Sequence, residues 1–269
     1  MVTRASRPEV AGLMYHDVVD DPAASGFSRP GALPYKLTRA AFGAHLDAVA
    51  AGGCAPTRVD AVDVGEPGRR LLLTFDDGGA SALWIADALE RRGWRGHFFI
   101  VTSLIDRPRF LTRTEIRDLA SRGHVIGSHS HTHPDICRDL PADRMLAEWR
   151  VSRDALTDLL GQPCRCASVP GGDISGRVLR AASVAGYHYV FTSEPWLTPH
   201  WVGGAWVLGR FSVKTSTSAR RVGELARFRG WQLALFQRRL KVAARRAAAP
   251  LYRRYVARRT HDAALDAAL

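Results

Sequence analysis

The chain has 269 residues, 46% hydrophobic and 24% charged, with 38 Lys and Arg against 26 Asp and Glu for a formal net charge of +12. That composition belongs to a folded globular protein and excludes a disordered one. The charge is confined to one end: residues 1–209 hold 23 basic and 23 acidic side chains, whereas residues 210–260 hold 15 basic side chains and only Glu224. A body with no net charge excludes a general nucleic-acid coat, so nucleic acid is not an expected partner.

The first ten residues hold no apolar run of signal-peptide length, and no segment approaches the roughly 20 apolar residues needed to span a bilayer. A cytoplasmic location is therefore expected. The four cysteines fit reducing conditions, and Cys164 and Cys166 lie too close for a zinc-knuckle or thioredoxin spacing.

In chain order, the apolar run at residues 10–15 (VAGLMY) ends at His16 and Asp17, as a buried strand feeding a loop does. Residues 20–36 read as loop. Thr38 is placed to cap a helix carrying Phe42, Leu46 and Val49, closed by Gly52 and Gly53. LLLTF at 71–75 is a second buried strand that runs into Asp76 and Asp77. A helix over 81–92, a strand over 97–101, a helix over 114–121 and a strand over 125–126 follow. Residues 143–160 form a long amphipathic helix with Met145, Trp149, Ser152 and Leu156 on one stripe. A strand over 166–169, a helix over 178–185 and a strand over 188–191 continue the alternation. Such alternation argues for an α/β fold with a parallel sheet. Chemistry then collects where strands end. The strand ends offer His16 and Asp17, Asp76 and Asp77, residues 128–135, the Pro170-Gly171-Gly172 turn, and Thr192 with Ser193.

GSHSHTHP at 127–134 carries three histidines. On a helical turn His129 and His133 share a face and His131 points away; in an extended chain all three share a side. The ligand choice thus depends on local conformation. Two imidazoles and a carboxylate leave positions open on a divalent metal for water and substrate. TFDDG at 74–78 sets two carboxylates side by side, and both stay ionised only if a cation or a donor compensates one of them. One would bind the metal and the other would take a proton.

LTFDDG at 73–78 and HSHTHP at 129–134, with the weaker GHFFIV at 96–101 and LGRF at 208–211, resemble the polysaccharide deacetylase family, the NodB-homology carbohydrate esterases, over about residues 10–213. The resemblance implies a distorted (β/α)7-type barrel over residues 1–213, followed here by a basic helical extension over 214–269. It implies a metal-dependent hydrolase that removes an acetyl or formyl group from the nitrogen of an amino sugar, in a glycan or a lipid-linked saccharide. Asp76 would be the general base. Asp77, His129 and His133 would hold a divalent metal, commonly zinc, and the N–H of Gly171 would help to hold the oxyanion.

Two departures from the family pattern stand out. Its third motif usually reads Arg-x-Pro-aromatic-Gly, and here it is SVPGG at 168–172. Ser168 stands where the arginine that orients the catalytic aspartate is expected, and Arg210 or another basic residue would have to substitute. The late Leu-x-x-His motif that supplies the general acid is missing, since the one histidine beyond Arg210 is His261. His16, in MYHD at 14–17, resembles the opening of members that lack the late histidine and is the candidate acid, titrating near neutrality. Asp17 either orients it or forms a turn. A deacetylase-like binding module without turnover, and an amidase for non-sugar amides, are the alternatives.

Trp196, Trp201 and Trp206 fall in an aromatic loop after the last predicted strand, and Trp196 and Trp201 are candidate sugar-stacking residues. Trp84, Trp94 and Trp149 read as core. From residue 229 the tail sets Leu233, Phe236, Leu240 and Ala243 among arginines and lysine, and beyond Pro250 a second short basic segment carries Leu251, Tyr252, Tyr255 and Val256. A basic amphipathic helix of this kind suits either an anionic membrane surface or packing on the barrel.

Overall fold

The computed structural model describes residues 7–27, 29–172 and 174–247. Strands β1 (Pro8–Tyr15), β2 (Gly68–Phe75), β3 (His97–Ile100), β4 (Val125–Ser128), β5 (Cys166–Ser168) and β6 (Tyr189–Phe191) are parallel, each paired with the next. β1 and β2 end in unbroken buried runs, as strands covered on both faces do. Helices α1 (Arg39–Ala50), α2 (Ala82–Glu90), α3 (Arg113–Ser121), α4 (Ala142–Leu160) and α5 (Gly176–Val184) connect them. Local chemistry sets the helix starts. Thr38 and Ser175 accept bonds from the backbone N–H groups of Ala41 and Val178, and Thr112 and Glu115 form a reciprocal capping box.

The aromatic segment after β6 is a hairpin, not the expected loop. β7 (His200–Val202) and β8 (Ala205–Leu208) pair antiparallel and turn on Gly203 and Gly204, both at positive φ (61° and 104°). A two-residue turn of this kind favours glycine at both positions. β8 then lies parallel to β6, and one residue later the chain joins the far edge of the sheet as β9 (Arg210–Ser212), beside β1. The order is β7-β8-β6-β5-β4-β3-β2-β1-β9. Because only Gly209 separates β8 from β9, the sheet must curl until its ends meet. It is a distorted barrel whose ladder of hydrogen bonds stays open at that seam.

Alternation along each strand divides the core in two. Leu13, Leu71, Leu73, Phe98, Ala167, Val190 and Val207 face outward, with the helices packed over them. Leu72, Phe99, Cys166, Phe191 and Leu208 face inward, closed below by Val59 and Val64 from the 59–64 segment. The next inward positions toward the strands' C-terminal ends are Thr74, Ser168 and Arg210, so a polar layer rests on the apolar one. Gly12 makes room for it: a Cβ there would lie 2.7 Å from Arg210 Cγ.

Helix α6 (Ala219–Ala226) places Val222, Leu225 and Ala226 in the outer core, and Trp231, which opens α7 (Trp231–Ala247), joins them. The packed body therefore runs past residue 213. The second basic segment, with Tyr252 and Tyr255, and His261 lie outside the described residues.

Candidate active site

Asp76 and Asp77 follow β2 directly and are both buried, yet their surroundings differ. Arg210, fully buried, donates from Nη1 to Asp76 Oδ1 at 2.7 Å and from Nη2 to Oδ2 at 2.9 Å. Ser168 Oγ donates to Oδ2 at 3.0 Å and accepts from Arg210 Nη2 at 2.7 Å. The guanidinium is itself fixed by Thr192 O at 2.9 Å and Thr74 Oγ1 at 3.1 Å, above the rings of Phe99 and Phe191. Burial alone would raise the Asp76 pKa. The charges of Arg210 and His129 and the hydrogen bonds from Arg210 outweigh it and hold the carboxyl well below the usual range. Arg210 thus bonds the carboxylate that the resemblance assigns to an arginine at position 168, reaching it from β9, beside β1, instead of from β5.

Asp77 has the opposite environment. Burial, then the charges of Asp76 and Asp17, push its pKa well up. Among the described residues nothing donates a hydrogen bond to it. Its Oδ1 lies 3.5 Å from His129 Nε2 and 3.8 Å from His133 Nε2, too long for strong hydrogen bonds. One atom from each of the three residues falls within a 4.8 Å cluster. His129 Nδ1 donates to Ser168 O at 3.0 Å, which leaves the Nε2 lone pair facing Asp77. Burial pushes both imidazoles below their usual pKa, His133 strongly, with help from His129 and Arg29. Two neutral nitrogens and a carboxyl short of donors converge on one point, and this donor set fits a divalent cation.

The histidine segment is neither helical nor extended. Ser130 and His133 adopt left-handed backbone (φ 66° and 56°), as does Asp77 (φ 82°), and this folding brings the His129 and His133 rings to 5.0 Å. His131 is turned aside, its Nδ1 2.9 Å from Thr102 Oγ1. Glu148 on α4 accepts from the backbone N–H groups of His131 and Thr132 at 3.0 and 2.8 Å, and Arg29 Nη2 sits 3.1 Å from His133 Nδ1 while pairing with Asp135. Neither Glu148 nor Arg29 carried a signal in the sequence. One is a surface position of an amphipathic helix and the other a lone charge in a loop.

His16 follows β1 and faces the same layer. Its ring lies tilted against Tyr35 with centroids 4.6 Å apart, and its Nδ1 is buried with no hydrogen-bond partner among the described residues. Burial lowers its pKa to about 4, with Asp76 the foremost charge working the other way. The expectation that it titrates near neutrality is therefore corrected, because desolvation dominates. Asp17 proves to be a loop organiser. It accepts from Ser25 Oγ, from Ser81 Oγ at 2.6 Å and from the Gly26 N–H at 3.3 Å. Gly171 lies exposed in the turn after β5 at φ 61°, bordering the histidine segment near Asp135 O.

The two tryptophan assignments are corrected. Trp201 on β7 pairs with Trp206, which pairs with Tyr189 at the start of β6, and Trp206 packs against Gly65 beneath the barrel. This is the end opposite the carboxylates. Trp196 packs on the outer core and over Gly209, where a Cβ would meet its Cδ1 at 2.5 Å, so it seals the seam.

Residues 63–190 match the family model for polysaccharide deacetylase. That match takes in 128 of the 269 residues, and this segment is similar to the polysaccharide deacetylase family. The matched segment contains Asp76, Asp77, His129, His133 and Ser168 and leaves out His16 and Arg210. Among curated family relatives, a peptidoglycan-N-acetylglucosamine deacetylase of Listeria monocytogenes is 31% identical over 141 residues, 52% of this chain and 29% of its own. A putative polysaccharide deacetylase of Bacillus subtilis is 27% identical over 126 residues, 46% of this chain and 45% of its own. The chain spans about half the length of the first curated relatives it matches, 49% and 45%. Among solved structures, a polysaccharide deacetylase from Bacillus cereus aligns with TM-score 0.70 at 18% identity, over 82% of this chain and 69% of that one. IcaB from Ammonifex degensii aligns with TM-score 0.68 at 22% identity, over 82% and 97%. These structural likenesses concern the fold.

Proposed function

We propose that this chain is a metal-dependent hydrolase that removes an N-acyl group, acetyl or formyl, from an amino sugar. The observation that carries this reading is the opposite treatment of two adjacent carboxylates. Asp76 is locked ionised by Arg210 and Ser168, and Asp77 faces two neutral imidazoles. Asp77, His129 and His133 would hold a divalent ion, zinc by the chemistry of the ligands. When bound, it supplies Lewis-acid polarisation of the acyl carbonyl.

The chain's own residues divide the proton work. Asp76 accepts a proton from the attacking water. Held so acidic, it passes that proton on instead of keeping it. His16, neutral at rest, receives it and delivers it to the departing amine, so the acid is charged during turnover. Arg210 fixes both oxygens of Asp76 and keeps its position constant through the cycle. The Gly171 turn borders the same mouth and would offer its N–H to the oxyanion. Relatives named as deacetylases of peptidoglycan and of chitooligosaccharide support an acetylated sugar as the substrate class. Three of the four free cysteines are buried thiols, which supports a reducing, cytoplasmic setting; cell fractionation checks it.

The test is acetate or formate release from acylated glycan oligomers, nucleotide sugars and lipid-linked amino sugars. Release by the parent chain and none by Asp76→Asn is the expected result. No release from any of them would sink the proposal.

A further inference from the structure

Helix α7 has two faces that the fold treats differently. Trp231 and Ala234 are buried, Trp231 Nε1 donates to Leu225 O at 3.0 Å, and Arg238, one further turn along, donates from Nε to Glu194 Oε1 and from Nη2 to Gly172 O, both at 2.8 Å. Those positions recur at helical spacing and form the body-facing stripe. Gly172 follows β5 and Glu194 follows β6, so Arg238 pins the helix to two loops at the catalytic end of the barrel.

Opposite that stripe, Leu233, Phe236 and Leu240 are 56%, 59% and 56% exposed. They too recur at helical spacing. A helix that already has a packed face does not need a second apolar one for folding. Arg239 and Lys241 flank this stripe, exposed, and no ion pair involves them among the described residues. Residues 242–260 add six arginines and no acid. A second copy of this helix, or residues 248–260 folded back on it, would set like charges against each other. An anionic lipid surface answers both the apolar stripe and the charge. No helix among the described residues is long and apolar enough to cross a membrane, so contact would be in the surface plane.

We propose that the outer face of α7 docks on an anionic lipid bilayer, with Leu233, Phe236 and Leu240 at the headgroup boundary and Arg239 and Lys241 on lipid phosphates. Arg238 then holds the catalytic rim beside that surface. The docking is independent of the deacylase reading, because its test needs no turnover.

The experiment is co-sedimentation of the full chain with vesicles of phosphatidylcholine alone and of phosphatidylcholine mixed with phosphatidylglycerol. Binding to the mixed vesicles and not to the neutral ones is expected, and it should weaken with salt. The triple substitution Leu233→Ser, Phe236→Ser, Leu240→Ser, all at exposed positions, should weaken binding tenfold or more, on the order expected for losing three partly inserted side chains. Arg239→Gln with Lys241→Gln should cost about fivefold per charge. Circular dichroism of each variant checks that it is folded. No binding to mixed vesicles overturns the proposal. So does binding that survives the triple substitution, which would belong to the chain beyond residue 247, or a dimer that dissociates when the stripe is substituted.

Discussion

Replacing Arg210 with methionine tests the site's electrostatics at their densest point. The guanidinium is fully buried and makes five hydrogen bonds, to Thr192 O, Thr74 Oγ1, Ser168 Oγ and both oxygens of Asp76. Methionine keeps most of the volume and removes the charge, which leaves Asp76 ionised and uncompensated in a buried layer. Breaking one side of such a pair costs about 3–5 kcal/mol. The pH dependence has a definite sign. In the parent, Arg210 helps to hold the folded-state Asp76 pKa below its unfolded value, so this group contributes stability above the unfolded pKa of about 4 and loses it as pH falls through the folded one. In Arg210→Met burial wins and the folded pKa rises above the unfolded value, so the variant loses stability as pH increases. The difference between the two proteins is therefore already present near pH 4, where the parent keeps most of this stabilisation, and should widen toward pH 7 as the variant is forced to bury an uncompensated carboxylate. Urea unfolding of both, in chelator, across that range reads it directly. A difference under about 1 kcal/mol at pH 7, or one flat with pH, would refute the assigned coupling.

Three further outcomes follow from the same geometry. Ser168→Arg would place a second guanidinium against the first and should destabilise the fold by about 3 kcal/mol or more, with much of that recovered by adding Arg210→Ser; unfolding of the single and double variants measures it. His16→Gln should reduce turnover of an N-acyl sugar by about 10²–10⁴-fold and affect an activated ester far less, because a good leaving group needs no proton. Equal losses on both substrates would remove His16 from the acid role. Trp201→Ala should leave kcat/KM on any acyl sugar within about twofold, since the ring stands at the far end of the barrel.

The parallel α/β order was legible because buried strands leave apolar runs and Thr38 marks the start of α1. The hairpin of β7 and β8 was not. Its strands are only three and four residues long, and tryptophan there reads equally well as a binding platform. The clustering of Asp76, Asp77, His129 and His133 followed from strand ends meeting at one rim. The conformation of the histidine segment did not follow, because left-handed Ser130 and His133 break both periodicities that sequence spacing can express. Arg210 shows the limit most plainly. It lies more than 130 positions from Asp76 in sequence, and only the pairing of β9 with β1, with Gly12 clearing the path, brings its guanidinium to that carboxylate. Burial likewise decides the charge of His16, and no local pattern reports burial at a strand end.

The division of labour between Asp76 and Asp77 is most directly tested by titrating cobalt(II) into the metal-stripped chain and following its visible absorption. Asp77→Asn should weaken binding by about 10-fold or more, as loss of a ligand does, whereas Asp76→Asn should stay within about threefold of the parent. Tight binding by Asp77→Asn together with loss in Asp76→Asn would contradict the assignment of metal ligand and base.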